Sequence, residues 1–282
     1  MRKVLIPTDF SENAWNAIRY ALEIFKNEIS EFYIMHAYQD EIYKDEDKMS
    51  RLNLNETIQR VANKSQLALQ AILKDIQKIS PNPKHAYNII SSNNLLLDEA
   101  DKIVNEKNID LVVMGTRGYT NDRKLTFGSH TLQVLKYVQC PVLVIPENYR
   151  FKEPKQILFP TNFMIPNKRR ELKLLCELTA SFKGEIDVLY VSNIEKMSMR
   201  QEDNKAFIKE ELCKNAINFK TVNSKDILNV IYQYINDFSV DLLVMVNTRH
   251  SFLENILFKS TIDDLTLNVN IPFLALQNTT RY

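Results

Sequence analysis

Glycine is scarce in this chain, and its placement is the strongest chemical signal in the sequence. Four glycines occur among 282 residues, and three of them are Gly115, Gly118 and Gly128, the last followed directly by Ser129. Glycine lets bare backbone approach another group closely or adopt a positive φ. An apolar run at 110–114 predicts a strand before this stretch, and helical spacing predicts a helix after it, with Ser129 at the N-cap. Because a helix N-terminus presents free N–H groups to an anion, the pattern predicts a phosphate-binding loop.

Two common phosphate loops do not match this stretch. It lacks the Gly-Lys-Ser/Thr ending of a Walker A loop and the GxGxxG spacing of a dinucleotide fold. An alternative for the glycines is a long turn between two elements of an α/β fold. The basic residues Arg117, Arg123 and Lys124 have the length to reach phosphates from the loop, and surface solvation is the alternative for them.

Charge balance argues against polyanion partners. Residues 1–150 carry 19 Lys and Arg against 19 Asp and Glu, and residues 151–282 carry 17 against 16. A nucleic-acid or membrane-surface binder would show a basic excess, so we predict no nucleic acid and no membrane partner. No apolar run approaches the roughly 18 residues of a membrane span, and no apolar signal stretch opens the chain, so we expect a cytoplasmic protein.

Cysteine and histidine give no sign of a metal site. The three cysteines are far apart, and we predict that Cys140, Cys176 and Cys213 are reduced packing residues. The four histidines show no metal-ligand spacing either. We therefore predict no metal held by protein ligands alone.

An internal repeat organises the chain. The segment 4–10 recurs at 157–163, an offset of 153, and the segment 110–114 recurs at 241–245, an offset of 131. We predict a tandem duplication with domains at 1–148 and 154–282. The smaller second offset means that the second copy lacks 22 residues, and the predicted helical region 52–79 is the expected place of the loss.

Strands and helices are predicted to alternate within each copy. In the first copy we expect strands near 2–6, 31–38, 85–90, 110–114 and 141–145, and helices near 12–26, 52–79, 94–107 and 129–137. This alternation predicts a five-stranded parallel sheet covered on both faces, a Rossmann-like α/β domain. Ligands of such sheets bind beyond the carboxyl ends of the strands, where the strand order switches. The glycine loop and the segment 7–11 both meet that condition.

Two side chains near the predicted edge need separate interpretation. Asp9 is either an N-cap for the helix that begins near Ser11 or a carboxylate that accepts hydrogen bonds from a hydroxyl or amine of a ligand, and the two roles are compatible. His36 ends a strand, and we predict a packed or hydrogen-bonded histidine.

Taken together, these motifs resemble a known family. The spacing Gly115-x2-Gly118-x9-Gly128-Ser129, with the opening segment Pro-Thr-Asp-Phe-Ser at 7–11, resembles the ATP-binding branch of the universal stress protein (UspA) family in its tandem two-domain form. The resemblance implies an adenine nucleotide alpha hydrolase-like fold and ATP as ligand, with Mg²⁺ or Mn²⁺. It also implies a pseudo-twofold pair of domains joined through the last strands, near 142–145 and 273–276, and leaves a homodimer open.

The resemblance also implies a set of nucleotide-binding residues. Pro7, Thr8 and Asp9 would lie along the adenine and ribose, with the Ala37 backbone near the adenine. The remaining residues would line the nucleotide through main chain at Met114, Gly115, Arg117 and Gly118, and hold the phosphates at Gly128, Ser129, His130 and Thr131.

The second copy departs from this pattern. Its counterparts of the three loop glycines and of Asp9 all carry side chains of a different kind, namely Val246, Arg249, Lys259 and Asn162, and Ser260 alone keeps its identity. Arg249 and Lys259 would suit some other anion. We favour a second site that has lost nucleotide and persists as a scaffold.

Three function classes follow for the whole chain. The first is a universal stress protein that binds ATP in its N-terminal domain and serves stress response or signalling. The second is a slow ATP-hydrolysing enzyme, and the third is an interaction scaffold without a ligand. Rapid hydrolysis requires a positioned base or paired metal carboxylates near the phosphates. Asp122 is the one acid in the loop sequence, so we predict binding without rapid turnover and assign no catalytic residue.

Overall fold

Continuous apolar runs form the parallel strands of this chain. A computed structural model describes residues 1–44, 54–116, 127–193, 196–212, 216–247 and 270–278. The chain divides into two compact units, and the boundary in sequence falls between Asn148 and Tyr149. The predicted pairing of the last strands of the two copies, as a pseudo-twofold pair, stays a prediction.

The first unit alternates strands and helices as the sequence predicts. Its described elements are β1 (Arg2–Pro7), α1 (Glu12–Ile24), β2 (Ser30–Ala37), α2 (Gln39–Lys44), α3 (Leu54–Ile79), β3 (His85–Ser92), α4 (Leu96–Glu106), β4 (Leu111–Gly115), α5 (Ser129–Tyr137) and β5 (Val142–Ile145). The strands lie in the order β3-β2-β1-β4-β5, and all pairs are parallel. This order confirms the predicted Rossmann-like sheet. From β1 the chain adds β2 and β3 on one side and β4 and β5 on the other, so the strand order switches between β1 and β4.

The central strands are apolar because both faces of the sheet are covered. All residues of β4 and β5 are buried, as are the last four of β1. Burial on both faces selects such continuous apolar runs. Parallel strands end at one edge of the sheet, so the carboxyl ends of β1, β2 and β4 lie side by side at the point where the order reverses.

The second unit repeats this plan. Its described elements are β6 (Gln156–Pro160), α6 (Arg169–Ala180), β7 (Glu185–Val191), α7 (Met199–Glu211), β8 (Ala216–Val222), α8 (Ile227–Asp237), β9 (Leu242–Asn247) and β10 (Phe273–Gln277). The strands lie in the order β10-β9-β6-β7-β8, all parallel. The helix α3 has 26 residues whereas α7 has 13, so the second copy is shorter where the sequence predicts the loss.

One described helix of the first unit is absent from the sequence prediction. The helix α2 has six residues, too few for a recognisable apolar period. Tertiary contact stabilises it, because Tyr38 and Ile42 are buried against Val61 of α3. The helix begins directly beyond the carboxyl end of β2, at the edge where the predicted site lies.

An aspartate recurs at the amino ends of the strands in both units. Oδ2 of Asp110 accepts a hydrogen bond of 2.9 Å from the backbone N–H of Lys3, where β1 begins. Oδ2 of Asp241 accepts bonds of 3.1 and 3.0 Å from the backbone N–H groups of Lys155 and Gln156, where β6 begins. Each aspartate therefore ties the start of the first strand of its unit to the start of the fourth.

Two further predictions concern cysteines and membrane spans. Cys140 and Cys176 are buried and form no disulfide among the described residues, which agrees with their predicted packing role, and Cys213 lies outside the described residues. Within the described residues, every helix is too short or too polar to span a bilayer.

Candidate functional site

The candidate site lies at the carboxyl edge of the first sheet. β1 ends at Pro7, β2 at Ala37 and β4 at Gly115, and β1 pairs with both of the other strands. The structure therefore brings together three chain segments that the sequence places far apart. Arg117 and Gly118, also predicted for this site, lie outside the described residues.

The turn after β1 holds Asp9 in a defined position. The hydroxyl of Thr8 accepts a 3.1 Å hydrogen bond from the backbone N–H of Phe10, and Oδ1 of Asp9 accepts bonds from the N–H (3.1 Å) and hydroxyl (2.6 Å) of Ser11. Ser11 in turn caps α1 by accepting from the N–H of Ala14. The N-cap interpretation of Asp9 is therefore wrong, because Ser11 is the cap and Asp9 orients it.

Phe10 takes an unusual backbone conformation within this turn. Its φ is 64°, in the left-handed region that side chains disfavour by roughly 1–2 kcal/mol. Backbone strain of this kind persists where the surroundings fix it, and it is common at functional sites. The neighbouring bonds to Thr8 and Ser11 fix the residues on either side.

Gly115 is required for packing and not for a positive φ. Among the described glycines none has a positive φ, so of the two reasons for glycine given from the sequence, only close approach of the backbone applies to Gly115 and Gly128. A Cβ at residue 115 would lie 2.7 Å from Nδ2 and 2.8 Å from Cγ of Asn13, which is buried on α1. The absent side chain therefore leaves room for a side-chain amide of α1.

The N-terminus of α5 has no side-chain cap. Gly128 is the N-cap residue, with φ −65° and ψ 159°, and Ser129 is the first helical residue, so the prediction of Ser129 as N-cap is wrong. The N–H of Gly128 donates a 2.7 Å bond to the carbonyl of Thr116. This bond joins the residue after β4 to the start of α5, so Thr116 and Gly128 lie close together.

The first turn of α5 presents three predicted phosphate ligands in different settings. Ser129 and His130 are exposed, whereas Thr131 is 2% exposed and donates its hydroxyl to the carbonyl of Gly115 at 3.0 Å. The Thr131 side chain thus joins α5 to β4. The main-chain N–H of Thr131 is then the group that could donate to an anion. Nε2 of His130 lies 3.3 Å from Oδ2 of Asp40 on α2.

The remaining predicted residues lie at or next to the carboxyl ends of β1, β2 and β4. Pro7 and Met114 are buried, Met114 with 6% exposure, and Ala37 is half-buried at the end of β2. These positions suit the main-chain contacts predicted for them.

A buried polar chain beside this site was not predicted as a group. His36 is 3% exposed, and its Nδ1 lies 2.9 Å from the hydroxyl of Ser65 while its Nε2 lies 3.1 Å from Oε1 of Glu41. The hydroxyl of Ser65 lies 2.7 Å from that of Ser91. These contacts confirm the prediction that His36 is a packed, hydrogen-bonded histidine. The sequence has no signal for its partners, because they lie on three other elements.

The equivalent edge of the second unit has a different chemistry. The turn is repeated, since Phe163 has φ 55° and its N–H donates to the hydroxyl of Thr161 at 3.1 Å. Val246 stands where the first unit has Gly115, and the side-chain amide of Asn247 donates to Oε1 of Gln277 at 2.9 Å. The counterparts of the other loop residues, Arg249, Lys259 and Ser260, lie outside the described residues.

One buried acid of the second unit has a perturbed pKa. Burial raises the pKa of Glu171 on α6 to about 7, although the backbone and charge of Lys168 act in the opposite direction. Glu171 is 4% exposed, and within the described part of the chain its Oε2 has no hydrogen-bond partner. In the folded protein the neutral acid is therefore favoured below about pH 7.

Comparison with known proteins identifies the family. The model of the "Universal stress protein family" matches residues 1–146. The chain belongs to this family. The universal stress protein MJ0577 of Methanocaldococcus jannaschii is 28% identical over 156 residues, which cover 51% of this chain and 94% of that protein. MJ0531 of the same organism is 26% identical over 155 residues, which cover 55% and 84%.

A solved relative extends the likeness to the whole chain. The crystal structure of a universal stress protein from Archaeoglobus fulgidus matches with a TM-score of 0.68 and 14% identity, covering 98% of this chain and 96% of that one. At this identity the likeness shows the fold. The family resemblance stated from the sequence is thus confirmed, and so is the α/β fold.

Proposed function

We propose that this universal stress protein binds one ATP per chain, at the carboxyl edge of its first sheet, and serves stress response or signalling. The main observation behind the proposal is the uncapped N-terminus of α5 beside the Thr8–Ser11 turn. Helix N-termini stabilise bound anions through free N–H groups and the helix dipole. No side chain of the described residues competes for these groups as a cap.

Each segment has a distinct role in the proposed complex. The main chain at Gly128 and the first turn of α5 would hold the phosphates, with Arg117 and Gly118 completing the loop. The Asp9 carboxylate would accept from a hydroxyl or amine of the nucleoside, and the Ala37 backbone would lie near the adenine. Asp9 suits this role because its bonds to Ser11 hold the carboxylate in place before a ligand arrives.

A divalent ion would be held mainly by the nucleotide. The described residues contain no cluster of three His, Cys, Asp or Glu side chains that could form a protein cage. Mg²⁺ is often bound through substrate phosphates, water and one or two carboxylates. The site therefore suits Mg²⁺ or Mn²⁺ that arrives with ATP.

In the second unit, we propose a scaffold that does not bind nucleotide. Val246 adds a side chain where the first unit has bare backbone, and Asn162 replaces the carboxylate of Asp9 with a neutral amide. These two changes remove the bare backbone at the end of the fourth strand and the carboxylate of the turn, two of the features proposed for the first site.

Calorimetric titration with Mg-ATP tests the proposal. The wild type should bind one ATP, and Gly128→Val should abolish binding by filling the phosphate space. Gly128→Ser is the sharper variant, because φ −65° is open to any residue and serine is a favoured N-cap. Its hydroxyl would accept from the same helix N–H groups that the phosphates need, so binding should weaken while the fold is kept.

Lys259→Val, at the equivalent sequence position of the second copy, is the matched control and should leave affinity unchanged. Two equivalent ATP sites per chain, or full affinity in Gly128→Val, would contradict the proposal. No binding by the wild type would favour the ligand-free scaffold.

A further inference from the structure

A hydrogen-bond chain connects four elements of the first unit beside the proposed site. It runs from Ser91 on β3 through Ser65 on α3 and His36 on β2 to Glu41 on α2, with separations of 2.7, 2.9 and 3.1 Å. Ser65 is 1% exposed and His36 is 3% exposed. Buried, fully bonded polar chains rigidify the elements that they join.

The partners of His36 fix its tautomer. The Glu41 carboxylate accepts, so Nε2 carries the proton, Nδ1 accepts from the Ser65 hydroxyl, and Ser65 accepts from Ser91. Burial lowers the pKa of His36, opposed by the charges of Glu41 and Asp9 and assisted by that of Lys64. A neutral imidazole with one ring orientation follows.

This fixed ring contacts the turn that carries Asp9. The rings of His36 and Phe10 are 4.4 Å apart between centroids, with an interplanar angle of 53°. Phe10 is the residue with φ 64°, and it lies directly between Asp9 and Ser11. Because the left-handed conformation is disfavoured, the turn needs an external contact of this kind to keep a single conformation. Displacing the Phe10 ring would therefore move Asp9.

The second unit keeps the ring contact but changes its chemistry. Phe163, with φ 55°, packs against Tyr190 on β7 at 5.5 Å between centroids. Gln201 donates to the hydroxyl of Tyr190 at 3.3 Å and to the carbonyl of Asn162 at 2.8 Å. The second unit thus has Tyr190 and Asn162, both uncharged, where the first unit has His36 and Asp9. This is also the unit for which we propose no nucleotide binding.

We propose that His36 is a positioning residue for nucleotide binding: held by Glu41 and by the chain through Ser65 to Ser91, it fixes Phe10 and thereby the Asp9 carboxylate. The inference rests on the proposed function. It means that α2 and α3 influence nucleotide binding indirectly, by holding the His36 ring in place through Glu41 and Ser65.

Calorimetry with Mg-ATP on four variants tests the inference. His36→Phe keeps a ring against Phe10 but removes both hydrogen bonds, and Ser65→Ala breaks the chain without touching Phe10 or Asp9. Asp9→Asn removes the carboxylate, and His36→Phe is also measured in that background. We expect His36→Phe and Ser65→Ala to weaken ATP binding about fivefold to tenfold, and His36→Phe to have less than a twofold effect when Asp9 is absent.

His85→Phe is the matched control. His85 is also a buried histidine, at the amino end of β3, where it packs against Phe32 and bonds the carbonyl of Phe25. This substitution should lower the melting temperature as His36→Phe does, without changing ATP affinity, because His85 is at the opposite edge of the sheet.

Four outcomes would overturn the inference. An equal loss of affinity in His36→Phe and His85→Phe would mean a general loss of stability. A full His36→Phe effect in the Asp9→Asn background would mean that His36 does not act through Asp9. Absence of ATP binding by the wild type would overturn the proposed function and this inference together, whereas normal wild-type binding with unaffected variants would overturn the inference alone.

Discussion

Replacing Gly115 by alanine should destabilise the first unit through one identified contact. The added Cβ would lie within 2.8 Å of two atoms of Asn13, and overpacking of this kind costs about 1–3 kcal/mol. Removing glycine from a strand returns about 0.5–1 kcal/mol. We therefore expect Gly115→Ala to lower the free energy of unfolding by about 1–2 kcal/mol.

The second unit indicates how the contact is relieved. At the repeat offset Val246 replaces Gly115 and Pro166 replaces Asn13, and α6 begins only at Arg169. Both partners of the contact therefore change together. Asn13→Ala should likewise make room for a side chain at residue 115.

Urea unfolding followed by tryptophan fluorescence measures the effect. Trp15, the single tryptophan, lies on α1 two residues after Asn13, so it reports on this unit. In an Asn13→Ala background the penalty for Gly115→Ala should fall by about 1 kcal/mol or more. An unchanged or increased stability of Gly115→Ala, or the same penalty in both backgrounds, would refute the packing argument.

Three further predictions concern pH, affinity and turnover. The pKa of Glu171 is raised from 4.5 to about 7, so the stability gained from its neutral form is complete below pH 4.5 and lost as pH rises through 7. The free energy of unfolding should therefore fall by on the order of 2–3 kcal/mol over this pH range, measured by urea unfolding followed by circular dichroism. Glu171→Gln should remove this fall, and the exposed control Glu202→Gln should keep it. Asp40→Asn should raise ATP affinity about twofold to fivefold in calorimetry, since the exposed Asp40 carboxylate lies 3.3 Å from His130 and would repel the phosphates. The variant Glu106→Gln, at the far edge, is the charge control. A loss of affinity in Asp40→Asn would instead indicate that Asp40 assists binding. Phosphate release from Mg-ATP should stay well below the roughly 1–10³ per second of enzymes. A site that binds the ground state and the transition state of ATP equally well does not accelerate hydrolysis. Turnover within the enzyme range that disappears in Gly128→Val would contradict this prediction.

The sequence predicted the features that depend on local pattern. The apolar runs of β1 and β4, the long helix α3 and the order of elements all follow from periodicity and repeat offsets. The position of the predicted site follows from the general rule that ligands of parallel sheets bind at the carboxyl ends of the strands, where the strand order switches. The predicted convergence of the 7–11 turn and the glycine loop at one edge has the same origin.

The features that the sequence missed depend on contacts between distant residues. The helix α2 is too short for a pattern and forms because Ile42 packs on α3. The need for glycine at residue 115 arises from Asn13, about a hundred positions earlier, and the hydrogen-bond partners of His36 come from separate elements. The two helix caps were misplaced by one or two residues, because several polar residues adjoin each helix start and only geometry selects between them.

The aspartates that tie the strand starts together, Asp110 and Asp241, are the same in both units, whereas the opposite edges have diverged. The two units thus share the aspartate that ties the strand starts at the amino edge and differ at the carboxyl edge, where we propose nucleotide binding in the first unit. A protein engineer could exploit this division by rewriting the carboxyl edge of the second unit for a new ligand while leaving its amino edge untouched. The natural chain would then serve as a scaffold with one native site and one programmable site.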